Sequence, residues 1–316
     1  MTWRNTLVGA LAFAVVASAA VVLPAWLMSL ATIALANALV VLGLIILWRA
    51  GLVPFGQALF YAAGAYTVAL LGRFTELRDA VLFVIAAALL SGILAYLVGL
   101  LLARYRDIFF AMLSLAMSMI LYGVLVKTET LGSTDGFHVE SATFFGSALH
   151  GRTAELVLFW FVLAWCALAA LVVSVYFRSV AGSLAVPVRE REIRLEFLGI
   201  SVNRLIHLKL VIAGTLAGIG GALAALAVEH VDPTTAYWTT SGGFVFVTIL
   251  AGAGSIAAAF IGSFLFELVR SVAVDLMPGT WQIILGTVLL LTILFLPGGL
   301  GSVVTVGRRR LGIKTP

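Results

Sequence analysis

The sequence predicts an all-α polytopic membrane protein with about ten transmembrane or half-spanning helices and a short charged helix on the cytoplasmic side. Composition is the first reason. Of 316 residues, 63% are hydrophobic and 10% charged, against about 45–50% and about 25% in soluble domains, so a soluble fold has nowhere to hide the apolar side chains. The second is patterning: apolar runs of about 18 residues or more recur along the whole length, and in lipid each satisfies its backbone only as a helix. The third is that Lys and Arg fall between these runs, where they report topology rather than a nucleic-acid surface, despite a net charge of +5.

Taken in order, hydropathy places helices at 5–23, 28–48, 56–71, 80–103, 108–126, 154–177, 208–228, a short segment at 243–252, then 256–270 and 281–298. The whole of 1–316 reads as one transmembrane domain. Arg4, Arg49, Arg104, Arg106, the six Lys and Arg of 178–209 and the tail Arg308, Arg309, Arg310 and Lys314 are expected inside, because basic residues in short loops resist translocation. That count closes only if the glycine-rich 242–270 region passes as two pieces. The first piece, about 15 Å long, is too short for a core of about 30 Å and must be broken, re-entrant or shielded by protein. Arg4, the following apolar stretch and Ala17-Ser18-Ala19 resemble a signal peptide. A retained first helix is nevertheless expected, since it leaves both termini cytoplasmic with the basic tail.

The loop 127–153 carries Lys127, Glu129, Asp135, His138, Glu140, His150 and Arg152. It is expected outside, either as a surface for an external partner or as a solvated connector. On the inner side, Pro187 precedes a run of Val188, Arg189, Glu190, Arg191, Glu192, Ile193, Arg194, Leu195, Glu196, Phe197 and Leu198 that stops at Gly199. This amphipathic helix has two readings: it lies on anionic lipid through its arginines, or it docks a cytoplasmic partner with Phe197 and Leu198 as apolar anchors.

Within the membrane, Gly214, Gly218 and Gly221 share one helix face and suit close packing. Gly51, Pro54 and Gly56 in the first half, and Gly252 and Gly254 in the second, interrupt apolar runs. Paired interruptions point to a translocation path, with Gln57 and Ser255 beside them and Asn37, Ser114, Ser118 and Thr248 as further pore-lining candidates. Gly56 and Gly64 align with Gly254 and Gly262 at a shift of 198, with Tyr66 over Phe264, a weak internal match. Glu267 and Arg270, three apart, are the one ionisable pair well inside a predicted span, and they are placed near a helix end. Proton-coupled carriers usually keep such a group at depth. No Gly-x-x-x-x-Gly-Lys-Ser/Thr loop is present, so ATP hydrolysis is not expected here and the chain is not read as an enzyme. Cys166 reads as a packing residue, the four histidines suggest no metal site, and no cofactor is expected.

Together the basic residues, Glu192, Leu198-Gly199-Ile200, Asn203 and the following small-residue helix VIAGTLAGIGGALAAL resemble the coupling region of LivM-type permeases of bacterial branched-chain amino-acid ABC importers. GLVPFGQALFYAAGAYTVALL (51–71), RYRDIFFAMLSLA (104–116), FVFVTILAGAGSIAAAFIGSFL (244–265) and ILFLPGGLGS (293–302) are similar to that family in order and spacing across almost the whole chain. Pro54-Phe55-Gly56-Gln57, Met117-Ser118-Met119 and Ser133-Thr134-Asp135-Gly136-Phe137 depart from its usual Ser-Phe-Gly-His run, acidic residue and Gly-Asn-Gly-type turn. The resemblance implies an inner-membrane permease that moves amino acids, branched-chain above all, with urea or short amides as cargo of close relatives. It implies cytoplasmic ATP-binding subunits docked on 188–200, a second related permease subunit in a heterodimer, and an external substrate-binding protein. A stand-alone passive facilitator is the competing class.

Overall fold

A computed structural model describes residues 13, 17–18, 23–75, 78–140, 142–144, 151–252, 255–276, 278–295 and 299. Among these are eleven α-helices: α1 (Ala25–Arg49), α2 (Gln57–Phe74), α3 (Ala80–Leu102), α4 (Asp107–Lys127), α5 (Arg152–Arg178), the short α6 (Val180–Ser183), α7 (Ala185–Phe197), α8 (Val202–Val228), α9 (Trp238–Ala251), α10 (Ile256–Leu276) and α11 (Trp281–Phe295). Six of them, α1, α3, α4, α5, α8 and α10, are long and apolar enough to cross a membrane, while α9 and α11 are shorter. Most of the helix expected at 5–23, together with Gly254, His150 and the basic tail, lies outside the described residues.

The core forms around α1 and α8, which pack on each other, while α2 and α3 also pack on α8. Small residues explain the order. A Cβ at Gly64 would overlap the Gly218 carbonyl, one at Gly221 the Tyr61 carbonyl, and one at Gly214 would press on Ala95 and Phe60. The expected glycine face of α8 therefore lets three helix axes come close, the packing that lipid-embedded bundles rely on when hydrophobicity does not discriminate between helix and lipid. Bulky apolar residues point away from this centre instead, including Leu89 and Ile93 on α3, Phe109 and Met112 on α4, and Leu171 and Val175 on α5.

Two chain reversals follow one design. After α1, the Gly51 N–H bonds the Trp48 carbonyl and the Leu52 N–H bonds that of Leu47; after α7, Gly199 bonds Glu196 and Ile200 bonds Leu195. Gly51 and Gly199 both have φ +80°, the left-handed cap that glycine adopts without a Cβ clash. The apolar pairs Leu47 with Leu52 and Leu195 with Ile200 belong to the same buried cluster.

Several expected boundaries move. Helix α8 starts at Val202 rather than 208, so Arg204 and His207 are helical. The short segment begins at Trp238 rather than 243, which puts Gly242 and Gly243 inside a helix. Helix α10 continues to Leu276, so Glu267 sits at mid-helix and not near an end. Helix α7 starts two residues before Pro187, and its backbone breaks at Arg191 (φ −153°, ψ 68°).

Candidate functional site: a charged handle and a buried polar seam

The handle is α7. Ala185, Val188 and Leu195 face inward and are buried, joining Leu47, Leu52, Leu102, Phe110 and Ile206 in one cluster. The opposite side carries Ile193 at 70% exposure, Phe197 at 88% and Leu198 at 75%. Glu190, Arg191, Arg194 and Glu196 stand exposed around them. Arg189 is exposed as well, with its aliphatic stem lying against Gly51, while Glu192 points into the bundle. There it meets Arg106 of the α3–α4 turn, with Nε 3.0 Å and Nη2 2.7 Å from its carboxylate oxygens. On α8, buried Lys209 donates to the Tyr176 hydroxyl at 2.9 Å and the Ala181 carbonyl at 3.0 Å. That ties α6 to α8 and gives a buried ammonium the acceptors it needs.

The seam lies deeper. Phe55, in the segment between α1 and α2, donates its N–H to Ser114 Oγ at 3.1 Å, and the Gln57 amide donates to the Ala213 carbonyl at 3.0 Å. The Ala58 N–H bonds Ser241 Oγ at 2.9 Å, so a serine from α9 caps the first turn of α2, a donor the helix itself leaves orphaned. Ser118, midway along α4, donates to the Ala236 carbonyl at 2.8 Å, which brings the 233–237 segment to the middle of a spanning helix. Gly56, immediately before α2, lies tight against α4, because a Cβ there would overlap the Ser114 carbonyl.

The sequence singled out six uncharged polar groups and several helix breaks, and the structure sorts them. Gln57, Ser114, Ser118 and Thr248 are all buried, and each side chain has a protein partner; Thr248 bonds the Phe244 carbonyl within its own helix. Asn37 stands apart from the seam and donates to Glu267 Oε1 at 2.9 Å. Ser255 is partly exposed at the entry to α10. Of the breaks, Gly51 ends α1, Pro54 and Gly56 lie in the segment leading to α2, and Gly252 closes α9 at φ +76°. Sequence reasoning missed Ser241, Lys209 and the interior position of Glu267, whose Oε2 is 3.6 Å from Arg270. The polar run Thr239-Thr240-Ser241 before two glycines was the signal for Ser241.

Helix α8 begins beside α7 and ends, 27 residues later or about 40 Å away, at the other face of the bundle. There Phe137–His138 pairs antiparallel with His230–Val231, and Gly136 abuts the Val231 carbonyl. The stretch expected as a loop at 127–153 is thus tied, through its described part, to the α8–α9 connection. Beside it opens a cleft of about 710 Å³ that includes Arg73, Arg78, His138 and Glu140, with Arg78 and Glu140 paired at 2.8 Å on the rim.

Residues 26–294 match the family described as "Branched-chain amino acid transport system / permease component". Among curated proteins, the chain is 26% identical over 286 residues to the high-affinity branched-chain amino acid transport system permease protein LivM of Salmonella typhimurium, covering 83% of this chain and 67% of the relative. It is 26% identical over 295 residues to the LivM protein of Escherichia coli K12, covering 86% and 69%. No solved structure matches. With the match spanning nearly every helix described above, the chain belongs to the family of membrane permease components of branched-chain amino acid transport systems.

Proposed function

We propose that this chain is the pore-forming subunit of an ABC importer for branched-chain amino acids, with both termini in the cytoplasm, and that α7 is the helix on which a cytoplasmic ATP-binding subunit docks. The observation that carries the docking reading is the exposure of Phe197 and Leu198 at the end of a helix anchored from behind. An exposed aromatic side chain within a polar rim is the composition of many protein–protein contacts. Lipid is the weaker reading for this surface, because Glu190 and Glu196 offset the exposed Arg191 and Arg194 beside the anchors and leave no net positive charge to hold an anionic leaflet. A second related permease subunit pairs with this one in the bilayer. An external binding protein delivers substrate to the face where 136–140 meets 229–231, where the Arg73, Arg78 and Glu140 cleft offers charge for recognition. The alternating step is then a rearrangement of the seam, driven from α7.

Replacing Phe197 and Leu198 together with Asp tests the docking reading. Loss of a hot-spot pair at about 2 kcal/mol or more should release most of the ATP-binding subunits when the complex is pulled down through this chain, and leucine uptake should fall with it. Full retention and unchanged uptake, with the protein still inserted, would overturn the assignment.

A further inference from the structure

Where α7 meets the bundle, one guanidinium holds three elements at once. Arg106 sits in the α3–α4 turn, one residue before α4 begins, and every one of its five N–H donors has an acceptor. Nε and one Nη2 hydrogen reach the two oxygens of Glu192 on α7, the other Nη2 hydrogen reaches Asn203 Oδ1 on α8 at 2.7 Å, and Nη1 holds the Ala103 and Tyr105 carbonyls at 2.6 and 2.9 Å. The side chains of Arg106 and Glu192 are 24% and 32% exposed, whereas the bond to Asn203 lies at the exposed edge of the junction. A forked guanidinium on a carboxylate fixes both distance and angle, which an ammonium does not.

What lies along α4 gives this junction a consequence. Ser114 and Ser118 are eight and twelve residues beyond Arg106, about 12 and 18 Å up a stiff helix. They hold the 50–56 segment before α2 and the 233–237 segment before α9, through the Phe55 N–H and the Ala236 carbonyl respectively. We propose that Arg106 is the positioning residue that converts displacement of α7 into displacement of α4, and so moves the 50–56 and 233–237 segments together. The proposal rests on the reading of α7 as the docking helix and assigns what happens after docking. Glu192 faces the bundle, away from Phe197 and Leu198, and belongs to the transmission and not to the docking surface.

A double-mutant cycle in the intact importer complex, reconstituted in vesicles with labelled leucine as probe, tests it. Glu192→Gln is the primary variant, because it leaves the Arg106 bonds to Ala103 and Tyr105 in place. The expected result is that ATP-binding subunits remain bound while leucine moved per ATP hydrolysed falls on the order of tenfold, within the ordinary range of coupling energies. Arg106→Gln should show the same loss, and the double variant should be no worse than either single one. Unchanged leucine per ATP in Glu192→Gln, or losses that multiply in the double variant, would overturn the proposal. So would release of the ATP-binding subunits by Glu192→Gln, which would place Glu192 in docking. Failure of the docking reading would show separately, as retention of those subunits after the Phe197 and Leu198 replacements.

Discussion

Along α7, Phe197 and Leu198 stand in the open among Glu190, Arg191 and Glu196, whereas inside the bundle Gln57, Ser114, Ser118 and Ser241 are almost wholly covered and each is bonded to protein. The two regions use polarity differently. On the handle, charge is solvated and pairs at little cost, so it can surround an apolar contact that a partner covers. In the seam, an unpaired group would cost about 1–3 kcal/mol, so only neutral groups appear and each bond spans two elements. The seam therefore joins the start of α2 to α4, α8 and α9 through neutral groups that are each paired.

The largest expected effect sharpens this contrast at its tightest point. Gly56→Val would drive a side chain into the Ser114 carbonyl, and overpacking of this kind costs about 1–3 kcal/mol or more. The melting temperature of the detergent-purified protein should drop by several degrees or the protein should fail to accumulate. Gly242→Ala, with nothing within 4 Å of the added Cβ, should melt as the parent does. Next comes Gly199→Val, which forces a branched side chain to φ +80° at the end of the handle. A left-handed residue costs about 1–2 kcal/mol, and because the strain sits outside the bundle it should weaken retention of the ATP-binding subunits more than it lowers the melting temperature. The smallest is Ser118→Ala. One interhelical hydrogen bond in a membrane protein is worth about 0.6 kcal/mol, so stability should scarcely change. Uptake should still shift measurably if the Ala236 contact is one of those exchanged during transport, and uptake identical to the parent would remove Ser118 from the seam's working parts.

Most helices were legible because their apolar runs are long and bounded by charge, and Gly51 and Gly199 were legible as stops because a left-handed cap selects glycine. The start of α8 was not. Arg204, His207 and Lys209 look like loop residues, and only the Tyr176 hydroxyl and the Ala181 carbonyl, distant in sequence, make a buried lysine tolerable there. Glu267 was misplaced for a related reason: an acid and an arginine three apart suggest an interface, and the Asn37 amide that receives the carboxylate lies 230 positions away. Arg106 carried a topological meaning in the sequence and nothing more, since its partners Glu192 and Asn203 meet it only through the fold. The candidate pore residues were recognised as polar groups at depth. Their partners were harder to read: Ser241 was marked only by the polar run 239–241, and Ala236 reaches the seam through a segment whose dip into the bundle has no hydropathy signature.

The claim on which the account depends is that the chain moves solute only when energy arrives through α7. Leucine accumulation in vesicles measures this directly, comparing the chain alone with the complex holding its ATP-binding subunits and binding protein, each with and without ATP. The account predicts accumulation above the external concentration in the complex with ATP and in no other sample; accumulation by the chain alone, or equal uptake with and without ATP in the complex, would contradict it.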